Sequence, residues 1–229
     1  MMFQRLRARL GFRALHGGDA PGGAAFAAAP AARRIHDGLY GDGSAVLRVA
    51  PGVDPADWQR LLFGPAVDPA AVWALADDAT QPSRVRALAY GWLRARRLPV
   101  PRGVLLGLVA EWARPGGVDV LAAYADGRLR LIDRHDRLLL RDAPGAGPDD
   151  AAEVARWLDQ GRAALDRASP WQRQPGEAPA AGQVRLAWVC ADGLRRREGR
   201  PDALARDPAL AALLQGADAL WQRLAPAAR

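Results

Sequence analysis

The spacing of apolar residues divides this chain into a helical first part, a strand-rich middle and a mixed end. Across 34–97 the period is three and four. Asp54-Pro55 and Asp68-Pro69 each offer an acidic cap followed by proline at the first helical position. They predict short helices carrying Trp58, Leu61 and Leu62, then Val72, Trp73 and Leu75. A longer helix is expected over 82–97. There Val85, Leu88, Ala89, Trp92 and Leu93 share one face, and Arg84, Arg86, Arg94 and Arg96 take the rest. Leu98-Pro99-Val100-Pro101 ends it.

The pattern then turns strand-like. Residues 104–113 are almost wholly apolar, interrupted by Glu111, which predicts a strand in the middle of a sheet. Pro115-Gly116-Gly117 makes a turn and 118–124 runs back. Asp126-Gly127 suits a tight type I′ hairpin, whose two central positions both need positive φ. Strands over 129–133 and 138–141 complete a meander. A helix from Asp149 or Asp150 to about residue 167 buries Val154, Trp157, Leu158, Gly161 and Leu165. After a Pro/Gln/Gly/Ala loop over 169–182, Val184, Leu186, Trp188 and Cys190 alternate along a fifth strand. Ala191-Asp192-Gly193 repeats the earlier turn chemistry, and 194–200 reads as a short polar edge strand. Asp207-Pro208 opens a last helix.

Hairpins in succession with helices set apart mean an α+β fold: an antiparallel β-meander plus a C-terminal hairpin, packed with helices. Residues 34–229 are expected to form one such domain. Residues 1–33 read as a flexible basic tail and linker, with Arg5, Arg7, Arg9 and Arg13 among Leu6, Leu10, Phe12 and Leu15.

Composition changes this picture in two ways. No apolar run approaches the roughly 20 residues needed to cross a bilayer, so no membrane span is expected. His16, Gly17, Gly18, Asp19 and Pro21 stand where a secretory signal would place its apolar core. With Cys190 as the one cysteine, no intrachain disulfide can form. These features together predict a cytoplasmic protein. The net charge of +7 and pI near 10.9 raise nucleic acid as a partner. However, all 32 basic residues are Arg, and Lys and Asn are absent, as in a GC-rich coding bias. That skew weakens any inference from the choice of Arg over Lys.

Motifs for chemistry are sparse. No GxxxxGK[ST] is possible without lysine, and the glycine-rich stretch 38–44 lacks a following helix, so it reads as a loop. Three histidines and one cysteine do not furnish a usual structural zinc site, and no metal or cofactor is expected. None of Ser44, Ser83 and Ser169 sits in GxSxG. Asp133-Arg134-His135-Asp136 and His36-Asp37 place an imidazole beside carboxylates, which makes His135 and His36 the acid/base candidates. Both are read as solvated turns. Cys190 is expected to be buried and inert. The pairs Asp77-Asp78 and Asp149-Asp150 lie at helix ends, where the helix dipole accounts for the second.

The stretch Gly116-Gly117-Val118-Asp119-Val120-Leu121-Ala122-Ala123-Tyr124-Ala125-Asp126-Gly127 resembles a family of bacterial proteins, together with Ser83-Arg84-Val85-Arg86-Ala87-Leu88-Ala89-Tyr90 upstream. The likeness reaches 184–214 and covers about half the chain. It implies a bacterial origin and no particular activity.

Plentiful folding signals beside missing reaction motifs favour a non-enzymatic protein-interaction or accessory module whose partner is another protein. The interaction candidates are Trp171, read as an exposed ring in the Pro-rich loop, and Arg195, Arg196 and Arg197 on an edge strand, where charge also guards against aggregation. A nucleic-acid binder would use the same arginines and the basic tail. An enzyme of unfamiliar design would need His36 or His135 in a pocket with a carboxylate.

Overall fold

The computed structural model describes residues 30–42, 54–141, 148–174 and 176–224. It is an α+β fold in three layers, with a seven-stranded antiparallel sheet between two groups of helices. In chain order the elements begin with helices α1 (Pro30–Asp37), α2 (Asp57–Phe63), α3 (Pro69–Asp77) and α4 (Ser83–Ala95). The meander follows as β1 (Leu105–Arg114), β2 (Gly117–Tyr124), β3 (Leu129–Ile132) and β4 (Leu138–Arg141). Then come α5 (Pro148–Ala163), a 3-10 turn (Leu165–Arg167), β5 (Ser169–Pro170), β6 (Val184–Cys190), β7 (Gly193–Gly199), α6 (Pro201–Leu204) and α7 (Pro208–Leu224). The strand order is β4-β3-β2-β1-β6-β7-β5, so the apolar strands β1 and β6 lie at the centre.

Alternation sorts the sheet's side chains into two cores. On one face Leu108, Ala110, Trp112, Leu121, Leu131, Leu186 and Trp188 meet α5 and α7. Val109, Val120, Ala122, Ala187 and Val189 look the other way, toward α1 to α4. A bulge at the start of β1 sets this parity, because Leu105 pairs with Cys190 while Gly107 pairs with Val189. On the α5/α7 face two indoles are satisfied by backbone: Trp157 Nε1 donates to the Leu213 carbonyl at 2.9 Å and Trp188 Nε1 to that of Gly161 at 2.7 Å. Gly161 has to be glycine for this approach, since a Cβ there would lie 2.4 Å from Leu108 Cδ1.

Local chemistry accounts for most boundaries. Asp68 caps α3 by accepting from the Ala70 amide at 3.0 Å, and Asp207 does the same for α7 through Ala209 at 2.9 Å. The Asp54-Pro55 expectation is off by a few residues: α2 starts at Asp57, where the Ala56 amide donates to Gln59 Oε1 at 2.8 Å. The β2–β3 turn is not type I′. Among Ala125, Asp126 and Gly127 only Gly127 has positive φ (77°), and its amide donates to the Tyr124 carbonyl at 2.9 Å. That is a three-residue loop in which the last position takes the left-handed conformation.

Two further differences matter for function. Helix α1 takes in 30–33, which the sequence pattern assigns to the linker; residues 1–29 lie outside the described residues. Strand β7 is not the outermost strand, because Ser169 and Pro170 of β5 pair with Arg196 and Arg195.

Candidate functional site

A charged cluster is built into the α1–α4 face of the sheet. Glu111 and Arg185 stand directly opposite each other on the two central strands, and strand parity points both away from α5 and α7. Both are buried, at 0% and 1% exposure. An unpaired charge here would cost several kcal/mol, so each is answered by partners.

Glu111 Oε1 accepts from the Tyr40 hydroxyl at 2.7 Å and lies 2.5 Å from His36 Nε2, while Oε2 accepts from Arg185 Nη1 at 3.1 Å. Arg185 spreads its remaining donors over Glu198 Oε2 (2.7 Å), Glu177 Oε1 (3.2 Å) and the Glu177 carbonyl (3.1 Å). Glu198 can reach it because it sits opposite Arg185 on β7.

Helix α1 and the turn after it supply the cover. His36 is buried, with its imidazole edge-on to Tyr40 at 5.9 Å between ring centroids. The helix that begins at Pro30 carries His36 onto the sheet, which corrects its reading as a solvated turn residue. Leu39 and Tyr40 follow it inward, and the Leu39 carbonyl accepts from the Tyr124 hydroxyl at 2.7 Å. Arg173 clasps this segment from outside. It donates to Asp37 Oδ1 at 3.1 Å and Asp42 Oδ2 at 3.0 Å, and its guanidinium lies 4.7 Å from the Tyr40 ring centroid.

Trp171 is the other correction. It is buried rather than exposed, edge-on to Tyr40 at 5.5 Å, with the guanidinium of Arg185 at 5.0 Å from its ring centroid and that of Arg196 at 5.3 Å. Its indole binds inside the molecule as a cation–π partner.

These neighbours set the protonation of the cluster. Burial works to raise the Glu111 carboxyl, but hydrogen bonds and charge from His36, Arg185 and Tyr40 outweigh it, holding the group below its ordinary range. Burial, reinforced by the Glu111 charge, pushes the Tyr40 hydroxyl well above the usual phenol value, so it stays a donor. Arg185 is raised despite its burial, because Glu111 and Glu198 favour the charged form. Chemically the arrangement is a clamp: both Glu111 oxygens and all three Arg185 nitrogens are committed to protein groups.

A cleft of about 500 Å³ opens beside the clamp, between β7 and the loop before β6. Ser169, Glu177, Gln183, Arg185, Arg196 and Glu198 contribute its polar walls, and Arg197 stands at its margin. The three successive arginines diverge here. Arg196 shares the clamp's face and donates to Glu177 Oε1 at 2.6 Å. On the opposite face Arg195 donates to Asp192 Oδ2 at 2.7 Å. Arg197 is exposed and makes no ion pair among the described residues.

His135 is placed elsewhere, exposed at the β3–β4 turn. The carboxylate before it, Asp133, is taken up by the amides of His135 and Arg137 (2.9 and 2.8 Å) and by the Arg137 guanidinium. Cys190 is buried, and burial with the nearby Asp192 charge pushes its thiol up to about 12. Among the described residues no group of three His, Cys, Asp or Glu side chains is placed to hold a metal, and no helix is long and apolar enough to cross a membrane.

Sequence reasoning missed Glu111, Arg185, Tyr40, Arg173, Glu177 and Glu198. One signal was present: Glu111 and Arg185 each interrupt an apolar run, the first before Arg114 closes β1 and the second as the one charge of β6. No protein family, curated protein or solved structure matches the chain.

Proposed function

We propose that this chain is a non-enzymatic protein-interaction or accessory module of the bacterial cytoplasm, and that it meets its partner at the cleft beside β7. The observation that carries this reading is the mixed charge of that surface. Lining the cleft, Arg196 is answered by Glu177 and Glu198 by Arg185, and exposed Arg197 adds a further cation from the same strand. Interspersed charges around an open cleft suit the polar rim of a protein interface. A nucleic-acid surface would present unopposed cations to successive phosphates.

Affinity capture of the tagged protein from its native lysate, with and without nuclease, tests the reading. A stoichiometric protein retained after nuclease and lost from Arg197→Glu is the expected result. Capture that disappears with nuclease, together with affinity for DNA or RNA that falls steeply with salt, overturns it in favour of a nucleic-acid partner.

A second reading rests on the 2.5 Å contact between His36 and Glu111, an acid/base pair with Tyr40 beside it. As an enzyme, the chain would have to open α1 to admit a substrate, because both groups are buried.

A further inference from the structure

We infer that residues 30–42 are a releasable strap, fastened over the sheet by the Glu111 clamp and the Arg173 clasp, and able to open while the rest of the fold stays intact. The argument begins with how unevenly this segment is held. Among its described side chains, those buried are Ala32, His36, Leu39 and Tyr40; Arg33, Arg34 and Asp42 face outward. By contrast, α4 alone buries Val85, Ala87, Leu88, Ala89, Tyr90 and Leu93.

What the segment lacks in apolar area it makes up in polar fastenings. Two of them meet at Glu111 Oε1, from His36 and Tyr40. Arg173 spans two more, to Asp37 and Asp42. The Tyr124 hydroxyl and Arg84 Nη1 hold the carbonyls of Leu39 and Gly38 at 2.7 and 3.4 Å. A unit with few buried apolar groups opens at a lower free energy than the core it lies on.

The fastenings are also shared with the cleft. Glu111 bonds Arg185, and Arg185 with its partners Glu177 and Glu198 lines the cleft. Opening the strap removes two of the three donors on Glu111, leaving that carboxylate to Arg185 alone. The strap and the cleft wall are therefore coupled through one carboxylate and one guanidinium, whatever partner the cleft takes.

Native-state hydrogen exchange on the full chain tests this. The primary variant is the double substitution Asp37→Asn/Asp42→Asn, which removes both acceptors of Arg173, Asp37 Oδ1 also lying 4.0 Å from His36 Nδ1; Asp42 is exposed and Asp37 half-buried. Loss of charge-assisted hydrogen bonds should speed exchange of the amides in 35–41 by about ten- to a hundred-fold, with β1 and β6 amides unchanged. Glu111→Gln should give the same selective pattern from the inner side. Because that buried variant can fail to fold, the double variant decides. If its 35–41 amides exchange as in the wild type, or accelerate together with β1 and β6 by one common factor, the strap is an inseparable part of the core and the inference is overturned.

Discussion

The two faces of the sheet are held by different physics. Facing α5 and α7, the sheet presents mainly Leu, Val, Ala and Trp side chains, with one buried carboxylate, Asp119, near the start of β2 held by Arg114 and Arg134; the indole N–H groups of Trp188 and of Trp157 on α5 find helix carbonyls. Facing α1 to α4, the same central strands carry Glu111 and Arg185 into a largely apolar layer. The first face gains stability through packing, at about 25 cal/mol per Å² of apolar area removed from water. The second needs every partner in place, since a half-satisfied buried ion is worse than none. A face of this kind fixes geometry more than it adds stability. It also lies under the segment we read as a strap and beside the cleft we read as an interface.

Breaking each face should give a different signature. The largest effect is expected from Glu111→Ala, which takes one of three acidic partners from buried Arg185 and leaves His36 and Tyr40 without their acceptor: about 3–5 kcal/mol of destabilisation in urea unfolding. On the packed face, Leu213→Ala should cost about 2–5 kcal/mol through loss of buried area and a cavity, and its cost should not depend on whether Glu111 is present. Strong dependence would mean that the two faces are not separate.

The fold was legible in the sequence because its signals are local and repeated. The period change at residue 104, the Asp-Pro caps and the alternation of Val184, Leu186, Trp188 and Cys190 each follow from the geometry of one element. The cluster was not, because it joins residues from α1, β1, β6, β7 and two loops. Periodicity says that Arg185 points away from Leu186, but it does not say that Glu111 waits on the neighbouring strand. Trp171 looked exposed for the same reason: a Pro-rich loop has no period to reveal that its ring lies between two guanidinium groups.

Gly161→Ala offers a smaller test on the packed face. Its Cβ would meet Leu108 Cδ1 at 2.4 Å, so α5 must shift or Leu108 must change rotamer, at a cost of about 1–3 kcal/mol in thermal or urea unfolding. No shift in Tm would contradict the close approach.

Acid should separate the faces too. The folded-state pKa of Glu111 is depressed, so its contribution is complete above the unfolded carboxylate pKa and is lost as pH falls through the folded value. In Glu111→Gln, stability should fall less across that acid window than in the wild type. An unchanged acid limb would show that the carboxylate is not held in the way described.

The smallest effect lies far from the cluster, at the end of α4. Arg97 occupies the left-handed region (φ 59°), where the Leu98 amide donates to the Leu93 carbonyl at 3.1 Å in a Schellman-type ending. Arg97→Gly should stabilise the protein by about 1 kcal/mol, since glycine adopts that conformation freely. Destabilisation would point to a role for the guanidinium itself.

The most direct test of the contrast between the faces is a double-mutant cycle on Glu111 and Arg185, read by urea unfolding of the wild type, Glu111→Leu, Arg185→Met and the double variant. If the pair is a clamp whose members are costly only when alone, the double variant is more stable than either single one, and the costs are strongly non-additive. Simple addition of the two single costs would contradict the account, because it would mean that neither charge depends on the other.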